Sequence, residues 1–153
     1  WGPVGTPEPR AFGGNMDNKD LRPGTTLYLP IYAEGALFSV GDGHGKQGHG
    51  EVCITALETA LTGTFRLTVR KDLEIAMPYA ETEDWFLAMG FNMSLDEAAK
   101  QAVREMLKIV QANTSMDRDD AYMLLSMVAD LHVTQLVDIN KGVHMILEKK
   151  YLP

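Results

Sequence analysis

The chain has 153 residues, a formal net charge of −7 and an isoelectric point near 5.0. This acidic balance argues against a nucleic-acid partner, which would need a basic face. No apolar run approaches the roughly 20 residues that a membrane span requires, so we expect no membrane partner. Hydrophobic residues make up 45% of the chain, as in ordinary globular proteins, and we predict a single domain over residues 1–153.

The cysteine count bears on the compartment. Cys53 is the only cysteine, so an intrachain disulfide is impossible and a reducing compartment is the simplest expectation. We therefore predict a cytoplasmic protein. The chain begins at Trp1 rather than at methionine, which leaves N-terminal processing and a periplasmic origin open.

The first part of the chain is rich in strand-like segments. Phe65, Leu67 and Val69 alternate with polar residues, a pattern typical of an antiparallel sheet with one face in water. Similar runs of β-branched and aromatic residues predict strands at 25–32, 36–40, 52–59, 63–70, 73–77 and 85–91.

The hydrophobic period then changes to that of a helix. Ser94 and Glu97 have the spacing of a capping box, and apolar residues follow at helical intervals. We predict two consecutive helices near the C-terminus, at about 95–111 and 117–130, and then strands at 131–137 and 143–147. The expected fold class is α+β and β-dominated, with mostly antiparallel sheets in a sandwich-like arrangement.

Most of the chemically reactive side chains lie in one glycine-rich segment, residues 39–51, which we call the glycine loop. It contains Asp42, His44, His49 and Glu51. Carboxylates and neutral imidazoles suit zinc and similar cations. In an extended backbone, Asp42 and His44 would lie on one face, and His49 and Glu51 would likewise share a face. The alternative is a surface loop with solvated polar residues.

Two further interpretations concern residues around this loop. Cys53 could be an activated thiolate nucleophile assisted by Glu51 and Lys46, but its apolar neighbours favour a place in the core. His132 and His144 are more typical of structural histidines than of metal ligands.

Several motifs together resemble the acetamidase/formamidase family. They are GGNMD at 13–17, LYLP at 27–30, GALFSVGDGH at 35–44, QGHGEV at 47–52, TQLVD at 134–138 and NKGVH at 140–144. The resemblance covers nearly all of this chain but only the C-terminal half or so of the usual family length. It therefore implies the C-terminal part of a longer chain, whose missing N-terminal half is a further candidate partner.

The resemblance implies hydrolysis of small aliphatic amides, such as formamide or acetamide, to the carboxylate and ammonia. It also implies a β-dominated fold, a homo-oligomer, and zinc, calcium or both as cofactor. Asp42 and His44 match the G-D-x-H pattern and are the expected metal ligands, and His44 is also expected to act in catalysis. Glu51 stands where the family has a glutamate suited to be the general base.

One residue departs from the family pattern. His49 occupies a position where an aspartate is expected, so an imidazole could serve there as a metal ligand with altered metal preference. We assign Phe38 and Asn15 to substrate binding, with Phe38 as part of a small apolar wall. The competing function is a non-catalytic, β-rich binding module whose site is incomplete without the missing half.

Overall fold

The computed structural model describes residues 2–153. Its two α-helices are α1, Leu95–Asn113, and α2, Arg118–Val128. The strands, in chain order, are β1 Pro9–Arg10, β2 Gly13–Gly14, β3 Thr26–Tyr28, β4 His44–Lys46, β5 Leu57–Glu58, β6 Tyr79–Glu81, β7 Trp85–Asn92, β8 Ala129–Gln135 and β9 Lys141–Glu148. A short 3₁₀ helix, Lys149–Tyr151, follows the last strand.

The main sheet has five strands in the order β3-β6-β7-β9-β8, and every neighbouring pair is antiparallel. Its centre is the β7–β9 pair, which stays in register from Trp85 opposite Glu148 to Asn92 opposite Lys141. Strand β8 is an edge strand, and β4 pairs with β5 in a separate two-stranded sheet.

Both faces of the central strands are covered. Phe86 and Ala88 of β7, with alternate residues of β9, pack in one core with α1 and α2. Leu87 and Met89 of β7 belong to a second core, which the N-terminal segment around Met16 and Leu27 helps to cover. The alternation of β7 explains this division, because successive side chains of a strand point to opposite faces.

The start of α1 is fixed by two polar side chains. Ser94 Oγ accepts a hydrogen bond from the N–H of Glu97 at 3.4 Å, as the sequence predicts. The reciprocal half of the predicted capping box does not form, because the N–H of Ser94 donates to Asn92 Oδ1 at 2.9 Å and Glu97 pairs with Lys100. The helix therefore has an N-cap without a capping box.

We expect Ser94→Ala to lower the free energy of unfolding by about 1 kcal/mol, because the N–H of Glu97 would lose its side-chain acceptor. Urea unfolding followed by circular dichroism measures the change. The matched control is Ser126→Ala, within α2, where no cap is removed. An unchanged midpoint for Ser94→Ala would show that the Oγ contact contributes nothing to stability.

The predicted fold class is confirmed: antiparallel sheets, with two consecutive helices that end at Asn113 and Val128. The predicted strand at 25–32 shortens to Thr26–Tyr28, and that at 52–59 shortens to Leu57–Glu58. Neither helix among residues 2–153 has the length and apolar character needed to cross a bilayer.

Three predicted strands, at 36–40, 63–70 and 73–77, are wrong, since no strand forms there in the described part of the chain. Phe65, Leu67 and Val69 are 56%, 66% and 66% exposed, although they alternate as a strand should. Alternation favours a strand only when a neighbour supplies backbone hydrogen bonds and a layer covers the apolar face. Neither condition is met there.

Candidate functional site

The glycine loop is attached to the end of β8 by its backbone. Gly50 forms a parallel bridge with Gln135. Its N–H donates to the carbonyl of Thr134 at 3.0 Å, and its own carbonyl accepts from the N–H of Leu136 at 2.8 Å. A second attachment comes from the Gln47 side-chain amide, which donates to the Asp17 carbonyl at 2.5 Å. The loop is thus held on the sheet despite its glycine content.

Acidic side chains gather around His44 in a group that we call the carboxylate cluster. Its members are Asp17, Asp42, His44, Glu51, Glu58 and Asp138, which fall into overlapping sets whose potential ligand atoms lie within 4.8 Å of one another. His44 Nε2 lies 3.2 Å from Asp42 Oδ1, 3.1 Å from Glu58 Oε2 and 3.9 Å from Glu51 Oε1. The structure therefore brings the predicted Asp42, His44 and Glu51 together.

The environment of His44 is unusual for an imidazole. Its Nδ1 lies 3.0 Å from Gln47 Oε1. Its Nε2 is buried and, although close to three carboxylates, has no partner of hydrogen-bond geometry within residues 2–153. Burial opposes protonation, but the Gln47 contact and the negative charges of Asp42 and Glu58 outweigh it and raise the pKa of His44.

Several carboxyl groups of the cluster are crowded and partly removed from water. Burial, followed by the negative charge of Glu51 and the hydrogen bond that the Asp17 carboxyl donates to Asp138, raises the pKa of Asp17. Burial also raises the pKa of Glu51, which is only 6% exposed, against the opposing effect of His44. The pKa of Asp138 is raised for the same reason, burial. The cluster thus gathers five carboxyl groups around one imidazole, that of His44.

Backbone strain coincides with this cluster. Asp17, Asp42, Glu51 and Asp138 have φ values of 47°, 63°, 38° and 65°. Left-handed φ is uncommon for residues other than glycine, although aspartate tolerates it better than most. Strained residues of this kind concentrate at functional sites, where the surrounding structure holds them in place.

A second group, the histidine cluster, comprises Asp20, His49, His132 and His144. His132 and His144 lie opposite each other in the β8–β9 pair. The His49 ring lies 4.3 Å from that of His132 and 5.5 Å from that of His144, measured between centroids. The glycine loop thus supplies one member, the N-terminal segment another and the sheet the other two.

His144 is the most buried member, with no exposed surface. Its Nε2 lies 3.0 Å from Asp20 Oδ2, and its Nδ1 lies 2.5 Å from Thr134 Oγ1. Burial lowers the pKa of His144 to about 4, against the opposing effect of Asp20. Burial and the neighbouring His132 likewise lower the pKa of His49. These imidazoles are neutral near pH 7.

The sequence predicts that Asp42, His44 and His49 hold a metal ion together. In the structure, His49 lies outside the group that contains Asp42 and His44. The expectation that His49 and Glu51 share a face assumed an extended backbone. Gly50 and Glu51 instead have φ values of 95° and 38°, which interrupt the alternation. His49 therefore enters the histidine cluster and Glu51 the carboxylate cluster.

Other predicted residues lie apart from these contacts. Phe38 is 45% exposed, and its ring centroid is 5.9 Å from that of Phe65. Asn15 Nδ2 donates to the Pro7 carbonyl at 3.1 Å. The core interpretation of Cys53 is wrong, because the side chain is exposed and its Sγ faces the Thr55 carbonyl at 3.7 Å.

Sequence reasoning missed four of the ten residues in the two clusters. Asp17, Asp20, Glu58 and Asp138 carried no motif that marked them as ligands, and only the fold brings them in. A signal did exist for His132 and His144, which lie on the two consecutive predicted strands at 131–137 and 143–147. Consecutive antiparallel strands place some of their residues in facing pairs, and in the structure these two histidines form such a pair.

Comparison with known proteins agrees with these motifs. The sequence profile of the acetamidase/formamidase family matches residues 4–149. A protein of Schizosaccharomyces pombe that is provisionally named a formamidase is 31% identical over 152 residues, which cover 83% of this chain and 37% of that one. The formamidase of Methylophilus methylotrophus is 32% identical over 108 residues, covering 63% of this chain and 26% of its own length.

Similarity extends to solved structures. The crystal structure of an acetamidase from Bacillus halodurans superposes with a TM-score of 0.91 at 36% identity, covering 97% of this chain and 50% of that chain. The chain thus spans about half, or less, of the length of the relatives that it matches. Because the family profile covers residues 4–149 almost without remainder, the chain belongs to the acetamidase/formamidase family.

Proposed function

We propose that the protein takes part in the hydrolysis of small aliphatic amides, of the formamide and acetamide class, to the carboxylate and ammonia. Membership of the family and the names of its relatives support this reaction. The observation that carries the proposal is the geometry around His44, whose buried and unbonded Nε2 faces Asp42, Glu58 and Glu51.

The carboxylate cluster fits a divalent cation. A buried imidazole nitrogen without a hydrogen bond is costly, and so is the crowding of partly buried carboxylates. Asp42 and His44 would hold the ion, with Asp17 as a third donor from the same set. Imidazole favours zinc, whereas the surrounding carboxylate oxygens favour calcium, so both remain in the proposal. Such an ion, when bound, supplies acidification of water and polarisation of the amide oxygen.

Glu51 is suited to be the general base. Glu51 is nearly buried, and burial raises its pKa toward the operating pH. A general base works best when its pKa lies near that pH. In the proposed reaction it removes a proton from the attacking water and delivers it to the leaving nitrogen. His44 Nε2 lies 3.9 Å from Glu51 Oε1, which is close enough for the imidazole to assist catalysis from its place at the ion.

Phe38 and Asn15 remain proposed substrate contacts. Phe38 directly precedes the glycine loop, and Asn15 lies two residues before Asp17 of the carboxylate cluster. Selection among small amides by an apolar wall would be modest, since one methylene is worth about 1–3 kcal/mol.

The first test combines turnover with elemental analysis. We expect the purified protein to release ammonia from formamide or acetamide, to contain zinc or calcium, and to lose activity on treatment with a chelator. Asp42→Asn should reduce both the metal content and kcat/KM, the latter by more than about tenfold. The matched control, Asp96→Asn, removes an exposed carboxylate from α1 and should change neither.

Other outcomes favour different functions. A folded protein with neither metal nor turnover would support the non-catalytic binding module. Turnover that survives the chelator but is abolished by Cys53→Ala would replace the proposed mechanism with the thiol mechanism. Full activity and metal content in Asp42→Asn would exclude Asp42 as a ligand.

We also propose a homo-oligomer in a reducing, cytoplasmic setting, in line with the family resemblance and with the single, exposed Cys53. Sedimentation velocity under reducing conditions measures the assembly. A protein that remains monomeric at all concentrations would contradict it.

A further inference from the structure

We infer that the histidine cluster is a second metal site, specific for zinc-like transition ions and separate from the carboxylate cluster. It offers three imidazoles and one carboxylate, Asp20, whose potential ligand atoms all lie within 4.8 Å of one another. This donor set suits zinc, whereas calcium and magnesium prefer oxygen ligands. The two clusters differ in composition and share no residue.

The distances are close to those of a tetrahedral site. With zinc–ligand bonds of about 2.0–2.1 Å, neighbouring ligand atoms are separated by about 3.3 Å. His144 Nε2 and Asp20 Oδ2 are 3.0 Å apart, and His49 Nε2 and Asp20 Oδ2 are 4.0 Å apart. Because all four ligand atoms lie within 4.8 Å of one another, no pair would have to approach by more than about 1.5 Å to reach the tetrahedral separation.

The sheet holds two of the ligands in advance. His132 and His144 face each other across β8 and β9, where the backbone pairing fixes their separation. Thr134 Oγ1 lies 2.5 Å from His144 Nδ1, and a contact of this kind orients a ligating imidazole through its other nitrogen.

One atom of the cluster is left unsatisfied. His132 Nδ1 is buried and has no hydrogen-bond partner within residues 2–153. A buried ring nitrogen without a partner costs free energy, and rearrangement of this ring toward a bound ion would remove that cost. The unpartnered nitrogen is therefore an observation, independent of the distances, that points to a ligand.

The site would be structural rather than catalytic. Four protein ligands complete a tetrahedral zinc ion and leave no position open for water. Asp20 comes from the N-terminal segment and His49 from the glycine loop, while the other two ligands belong to the sheet. A zinc ion would thus join three parts of the chain that are distant in sequence, and its binding would stabilise the folded state.

The test uses zinc itself as the probe, in competition with a chromogenic chelator, and cobalt as a spectroscopic substitute. His132→Gln is the main variant, because β8 is an edge strand and His132 is only partly buried. The chain has 4 histidines, and His44 is the one outside the histidine cluster, so His44→Gln removes a proposed ligand of the carboxylate cluster and leaves the histidine cluster intact, while Asp96→Asn is the matched control. His49→Gln, in the glycine loop, is a second variant if His132→Gln folds poorly.

We expect the wild type and His44→Gln to bind one zinc ion tightly at this site, to give the visible spectrum of tetrahedral cobalt, and to melt at a higher temperature with zinc. His132→Gln and His49→Gln should bind zinc more than about 100-fold more weakly and lose the spectrum and the thermal shift. Unchanged zinc affinity in both variants, or no zinc binding by the wild type, would overturn the inference.

These outcomes are separable from those of the proposed function. His44→Gln should lose amide hydrolysis while it keeps the zinc ion of the histidine cluster. Absence of amide turnover in the wild type would contradict the proposed function and leave the zinc measurements unaffected.

Discussion

Replacing Glu51 with glutamine is expected to lower kcat for formamide hydrolysis by about 10²–10⁴-fold, the usual contribution of a general base. Glutamine has nearly the same shape but cannot accept the proton from water. The substitution also removes one negative charge from the crowded carboxylate cluster, so the melting temperature should not fall. Steady-state kinetics and thermal unfolding of the same preparation measure both effects.

Glu83→Gln provides the matched control, since Glu83 is exposed in the turn between β6 and β7. It should retain wild-type kcat. If Glu51→Gln also retains near-normal kcat, Glu51 is not the base. A loss of activity accompanied by an equal loss of folded protein would mean that Glu51 acts in folding rather than in catalysis.

The largest effect on stability is expected at Gly90. A Cβ at this position would lie 2.1 Å from the carbonyl oxygen of Ala98 and 2.7 Å from the N of Ala102. These are backbone atoms of α1, so the conflict can be relieved only by moving the helix away from β7. We expect Gly90→Ala to lower the free energy of unfolding by about 3 kcal/mol or more, at the upper end of overpacking effects. Urea unfolding measures this change.

Gly41→Ala is the matched control, because a Cβ there would meet nothing within 4 Å and its φ is not left-handed. Its stability should stay within about 0.5 kcal/mol of the wild type. Equal stability for Gly90→Ala would show that α1 does not approach β7 as closely as the structure indicates.

The elements predicted correctly from sequence are those whose local pattern agrees with their packing. Helix α1 buries a face at helical spacing that includes Ala102, Met106 and Val110. Strand β7 is buried on both faces and reads as a continuous apolar run. In these segments the period of the side chains and the layers that cover them lead to the same structure.

The predicted strand at 63–70 shows the opposite case. Its alternation is as regular as that of any true strand in the chain, yet Leu67 and its neighbours are exposed on both faces. Whether a segment becomes a strand depends on a partner elsewhere, and a local window cannot contain that partner.

The candidate site was predictable only in part, because some of its residues are neighbours in sequence and others are brought together by the fold. The glycine loop concentrates candidate site residues within a short segment, so Asp42, His44 and Glu51 could be identified without the fold. The division between two clusters could not, because it depends on the φ values of Gly50 and Glu51. Asp17 and Asp138 reach Glu51 only through long-range folding.

Gly50 has a consequence for how this family member could be redesigned. Its φ of 95° is a conformation that L-amino acids rarely adopt, and a Cβ there would also crowd Val52 Cγ1 at 3.2 Å. This achiral position allows His49 and Glu51, which flank it, to enter different clusters from one short peptide. A substitution that made the backbone extended at this position would direct the side chains of His49 and Glu51 to the same face. Both would then lie in one cluster instead of two.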